Sequence, residues 1–239
     1  MISQREFLLA ILLPAALCLL SGWLGSRRAL QAGATALACL LCFRNGPDCV
    51  RLVVLPLALF AAWGRAPHEL FALLACLALL FGRLAAPPGW GEGALALLAG
   101  TLAWALSRRT PESFPAWRPL LALATFGGAV AFACLCGRSA SLAVSAAGVA
   151  TSAGAVFAAS LRWPAWSFGR PGFDVLFFGL AGALASAVYL GELAPLSALA
   201  LLASIAAVRI PSFAAAFGTQ LALTALALFL AWPEGGLGG

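Results

Sequence analysis

The chain has 239 residues, of which 63% are hydrophobic and only 9% charged, against about a quarter charged in soluble domains. So much apolar surface cannot all face one core; the solvent is lipid, and no polar stretch is long enough to form a soluble domain of useful size. The basic residues are all Arg, fourteen against eight acids, but they are scattered one to three per loop, which is the pattern of topology signals and not of a nucleic-acid-binding stripe.

The N-terminus reads MISQREF and then an apolar run to Leu20. Alone this has the form of a signal peptide; with many apolar segments behind it, it reads as a retained first helix. Apolar runs punctuated by Gly, Pro and Arg predict helices at about 7–24, 29–43, 50–63, 67–82, 94–106, 120–136, 142–161, 174–191, 195–208 and 213–232. The expected fold is therefore an all-α polytopic transmembrane bundle of about ten spans, eight at the fewest. Several runs hold only about 13 to 15 apolar residues, where a crossing needs about 20, so their flanking Gly, Trp and Pro lie at the interface or the segments are re-entrant.

Within the second run Cys39 and Cys42 form a C-x-x-C, with Cys49 beyond it. One such pair, without a second pair or a convincing His, is a poor zinc site, and helix packing is the expected role. Six of the seven cysteines lie in apolar runs, where they behave as small hydrophobes, so a disulfide framework is not expected. The seventh run, from Ser141 to Ser160, is nearly all Ala, Gly, Ser and Val. Small residues permit close helix approach in lipid, and this helix is expected at the centre of the bundle. Trp23, Trp63, Trp90, Trp117, Trp163, Trp166 and Trp232 fall at or near run ends, as an aromatic belt requires.

Ten spans divide the arginines into two groups. The odd-numbered loops carry Arg27, Arg28, Arg65, Arg108, Arg109, Arg118, Arg162, Arg170 and Arg209, and the other side carries Arg5, Arg44, Arg51, Arg83 and Arg138. Positive residues are retained in the cytoplasm, so the odd loops are expected there, with both termini outside, in a bacterial-type inner membrane.

Ionisable groups in or beside membrane helices are costly and are functional candidates. Here they are Asp48, Asp174, Glu69, Glu92, Glu112, Glu192 and the single His68. No Ser-His-Asp set can be built from one His in a Pro-flanked loop, which reads as a solvated turn residue. Asp174 is both a candidate functional acid and a candidate helix-capping residue, since an acid at a helix N-terminus is stabilised by the dipole.

Three stretches share an order. SRRTPESFPAWRPLLAL from Ser107 is a basic turn containing Pro111; GRPGFDVLFFGLAG from Gly169 carries Asp174 and Gly182; RIPSFAAAFGTQLAL from Arg209 contains Pro211. Over about residues 94–239 this resembles the type IV prepilin peptidase family of membrane aspartic peptidases. There a helix ending in a catalytic Asp leads to a basic Pro turn, a G-x-G-D helix start carries the second Asp, and a Pro turn opens the last helix. The resemblance implies a six-helix core at 94–239, preceded by N-terminal helices at 1–93, with its catalytic face in the cytoplasm.

The sequence departs from that pattern where chemistry matters. Trp104 stands where the first Asp is expected, Phe173 replaces the glycine beside the second, and Leu176 replaces a common Lys. Aspartic catalysis divides base and acid work between two carboxylates. Glu112, in the right loop, is the remaining candidate to partner Asp174; Asp48 and Glu92 form a weaker echo on the opposite side. The first reading is thus a divergent prepilin-peptidase-like protein impaired in cleavage, serving a pilus or secretion system or binding a substrate transmembrane helix. If active, it would be an aspartic-type endopeptidase. The alternatives are a small-molecule permease or transporter subunit, whose broken helices short Gly/Pro-interrupted spans resemble, and a structural membrane subunit. No cofactor, metal or nucleic acid is expected, and the lipid bilayer is the one obligatory partner.

Overall fold

The computed structural model of the chain describes residues 8–23, 28–44, 46, 117–163, 168–189 and 193–232. Seven of the predicted apolar runs fall there, and each forms a helix. A π-helical turn at Leu8–Leu12 leads into α1 (Leu13–Trp23), followed by α2 (Arg28–Cys42), α3 (Trp117–Cys136), α4 (Ala140–Arg162), α5 (Arg170–Tyr189), α6 (Pro195–Ala206, continued by a 3₁₀ turn at Ala207–Arg209) and α7 (Phe213–Ala231). Among the described residues there is no strand. The runs at 50–63, 67–82 and 94–106 lie outside them. Four helices, α3, α4, α5 and α7, are long and apolar enough to cross a membrane, and the others are shorter.

Local chemistry sets the ends. The α3–α4 turn closes with Ser139 N–H donating to Cys134 O at 2.9 Å and Arg138 N–H to Leu135 O at 3.0 Å. This is a Schellman ending, and Arg138 occupies its left-handed position with φ 66°, where glycine is the usual residue. Pro195 opens α6 at a first-turn position, where its missing N–H costs nothing. Pro211 prevents α6 from running into α7, because the residue before a proline is driven to extended backbone and Ile210 has φ −62°, ψ 125°. The Ser212 hydroxyl then accepts from Ala215 N–H and starts α7.

Buried residues of every one of these helices except α7 join a single core, to which α7 adds Ala227. α1 packs on α2 and α4; α2 on α5; α3 on α4, α5, α6 and α7. Glycines set the closest approaches. A Cβ at Gly148 would collide with the Ala10 carbonyl and stand 2.9 Å from Cys42 Sγ, and one at Gly127 would stand 2.9 Å from Ala150 Cβ and 3.1 Å from Leu180. The Ser141–Ser160 segment, expected at the centre, packs on α1, α2, α3 and α5, while its neighbour α5 is the more deeply buried of the two. In the apolar window of α4 56% of residues are buried, against 78% in α5. Small side chains let α4 approach closely on one side, but Phe177, Phe178, Leu180 and Leu184 of α5, all buried, fill the space between several helices at once.

From α3 to α7 the helices alternate in direction, and α2 runs parallel to α3, which sorts their ends into two groups. The α4–α5 connection at 163–169 reaches at most about 25 Å, less than the roughly 30 Å length of α5, so α4 finishes where α5 begins. Gln31, in the first turn of α2, bonds Gly169 at this same end, and Trp117 at the start of α3 meets Phe157 late in α4 at 6.2 Å. Arg28, Arg118, Arg162, Arg170 and Arg209 therefore mark one end of the bundle, and Arg44 and Arg138 the other.

Candidate functional site

The end where α3, α5 and α7 begin gathers the polar side chains. At Ile210–Pro211 the chain leaves its 3₁₀ turn, and the carbonyls there have no helical partner. Arg118, only 5% exposed, supplies one: its guanidinium donates to Pro211 O at 3.1 Å and to Ile210 O. A planar fork suits two successive carbonyls in a way a Lys ammonium would not. Aromatic rings seal the contact: Phe213 lies 6.0 Å from the guanidinium carbon, and Trp117 packs edge-on to Phe213 at 5.3 Å. The start of α3 and the final Pro turn are thus joined. Their sequences showed Arg118 only as a topology signal, because nothing local indicates which distant carbonyls lack donors.

Asp174 is buried, 4% exposed, on α5. The capping expectation for it is overturned: α5 starts at Arg170, four residues earlier than the hydropathy predicted, and its first turn holds no acid. Asp174 therefore sits about 6 Å along the helix, beyond the free N–H groups a cap serves. Gly169 occupies the cap position, its carbonyl accepting from Gly172 at 3.1 Å and Phe173 at 3.3 Å. Its own N–H donates to Gln31 Oε1 of α2 at 3.0 Å. Both glycines are needed for space, since a Cβ at Gly169 would meet Gln31 and one at Gly172 the Phe168 ring. Gln31 is itself buried, and nothing in the residues around it marks it as serving this turn.

Glu112, the proposed partner of Asp174, lies outside the described residues, as do Asp48, Glu69, Glu92, Glu192 and His68. Cys39 and Cys42 are buried free thiols on α2, packed in the apolar core. Among the described residues no group of three His, Cys, Asp or Glu is placed to hold a metal.

Beside α7 is a small, half-open pocket lined by Arg118, Ala122, Val208, Phe213, Phe217 and Gln220. Gln220, buried on α7, crosses to α3 and donates to Ala122 O at 2.8 Å. Farther along, Ser197 of α6 donates to Ala227 O of α7 at 2.8 Å. In apolar surroundings such side-chain bonds fix which helices pair.

The described chain is an all-helical protein with several helices fit for a bilayer. Comparison with protein-family models, curated proteins and solved structures finds no match.

Proposed function

We propose that this is a multi-pass inner-membrane protein of ten spans whose six C-terminal helices form a core of prepilin-peptidase type, impaired in cleavage, that binds a substrate transmembrane helix within a pilus or secretion system. The observation that carries the reading is the Arg118 clasp on Ile210 and Pro211, which joins the first and last of the three motif stretches at the end of the bundle where the helix bearing Asp174 begins. The described parts of the three stretches, Arg118, Gly169–Asp174 and Arg209–Pro211, lie toward one end of the bundle, which supports a common site. The span count draws support from the directions of the helices, since α2 finishes at the opposite end from the start of α3, as three intervening crossings require. The arginine excess at the motif end favours the cytoplasm for it.

Loss of cleavage follows from Trp104 in the position of the first acid, since one carboxylate cannot act as both base and acid. The test is to incubate the purified protein in lipid nanodiscs with a prepilin signal segment carrying a photo-crosslinker. The expected result is a crosslinked adduct without a cleaved product. Cleavage that disappears in Asp174→Asn would show that a second carboxylate completes the pair; absence of both adduct and product would sink the substrate-helix reading.

A permease remains the second reading, and one observation favours it. The π-helical opening at Leu8–Leu12 and the short α6 with its 3₁₀ end are irregular segments of the kind that line solute sites in transporters.

A further inference from the structure

α3 is packed on two sides and open on a third. Gly127 lies against Ala150 of α4, and Ala122 O accepts from Gln220 of α7. Its outward face carries Leu121, Gly128, Phe132 and Leu135 in line with Trp117, because steps of three and four residues return to the same side of a helix. Leu135 is 49% exposed and Phe132 40%. A Cβ added at Gly128 would meet nothing within 4 Å, and the same holds at Gly154 of α4. The result is a shallow apolar groove along α3 between α4 and α7, with the half-open pocket at Leu121 and Phe217 on its α7 side.

The groove ends in charge. Trp117, half-buried, sets its ring between Phe157 of α4 at 6.2 Å and Phe213 of α7 at 5.3 Å. Arg162 follows Phe157 by five residues, Arg209 precedes Phe213 by four, and both arginines are exposed. One cation thus stands on the α4 side of the mouth and one on the α7 side. Asp174 is the one acid among the described residues, and it is buried. The anion that balances Arg162 and Arg209 therefore comes from outside the described residues.

We propose that this groove is a site for an anionic phospholipid, whose acyl chain lies along Leu121, Gly128 and Leu135 and whose phosphate is held between Arg162 and Arg209. An apolar body with an anion at the depth of an interfacial Trp is what the groove and its mouth complement. Guanidinium groups bind phosphate oxygens in charge-assisted pairs. A second copy of the chain in the same orientation would bring the same arginines to the same mouth, where like charges repel. The site does not rest on the prepilin-peptidase reading; it requires only that the Arg162 end meets the bilayer surface.

The test is native mass spectrometry of the purified full chain, titrated at low salt with phosphatidylglycerol and with phosphatidylcholine of the same acyl chains. The first phosphatidylglycerol should bind at least about fivefold more tightly, the worth of one interfacial arginine. Arg162→Gln with Arg209→Gln, which leaves the Arg118 clasp in place, should reduce phosphatidylglycerol to the level of phosphatidylcholine. Arg44→Gln, at an exposed arginine of the opposite end, should keep the preference. Gly128→Leu, into open space, should weaken both lipids at the first site. Equal binding of the two lipids by wild type, or the same loss in Arg44→Gln as in the double variant, would overturn the site. A lipid-free dimer abolished by Gly128→Leu would also overturn it and give the groove to a second copy.

Discussion

α5 and α7 are nearly equal in length, 20 and 19 residues, and in mean hydropathy, 1.6 and 1.8, yet 78% of the apolar window of one is buried and 17% of the other. Lipid is as apolar as a leucine core, so hydropathy does not tell a helix which of the two to face. What separates them is the spacing of bulk. α5 sets Phe177 against Phe126 at 6.3 Å and beside Phe178 at 6.2 Å, with Leu180 and Leu184 buried behind them. α7 turns Leu226, Phe229 and Leu230 outward and keeps one narrow stripe for its neighbours. One helix is enclosed by several neighbours; the other packs mainly on α6 and α3 and leaves its remaining face outward.

Mutation should break this comparison most visibly at the phenylalanines. Phe177→Ala leaves a cavity at the centre of α5 and should cost about 3 to 5 kcal/mol. Phe229→Ala, at a position 77% exposed, should stay within about 0.5 kcal/mol. Thermal unfolding of both in the same detergent measures the difference. Equal losses would mean that α7 is buried in the membrane-embedded protein and that its contrast with α5 is wrong.

Asp174 sharpens the same contrast from the polar side. An acid buried one turn inside the best-packed helix is costly to keep, and under the proposed function that cost is offset by binding. Asp174→Asn preserves shape and should change stability by no more than about 1 kcal/mol, while crosslinking of the substrate segment falls at least about tenfold, 1.4 kcal/mol in affinity. A loss of several kcal/mol with unchanged crosslinking would make Asp174 a structural residue and remove it from the site.

Helix existence was legible in the sequence wherever the structure describes it, because an apolar run long enough for lipid has few other ways to satisfy its backbone. Helix beginnings were less so. α5 starts four residues before its apolar run because Gly169 takes the cap position and Pro171 is tolerated in a first turn, and this shift moved Asp174 from the cap into the core. The central place of α4 was legible in its small residues, which bring α1, α2, α3 and α5 onto it; the deeper burial of α5, set by its Phe and Leu side chains, was not. Gln31, Arg118 and Gln220 were invisible as site builders, since each serves a carbonyl or N–H about ninety or more residues away in sequence.

The central claim is that the end carrying Arg118, Asp174 and the Ile210–Pro211 turn lies in the cytoplasm, a full membrane thickness from the α3–α4 turn. An azide-bearing amino acid placed singly at Trp163 or Arg138, both exposed, can be reacted with a membrane-impermeant dye in intact spheroplasts and after lysis. The account predicts that position 138 labels in intact cells and position 163 only after lysis. Labelling of both from the same side would contradict a membrane-spanning α4, and the reverse pattern would place the Asp174 end outside and remove the ground for a cytoplasmic site.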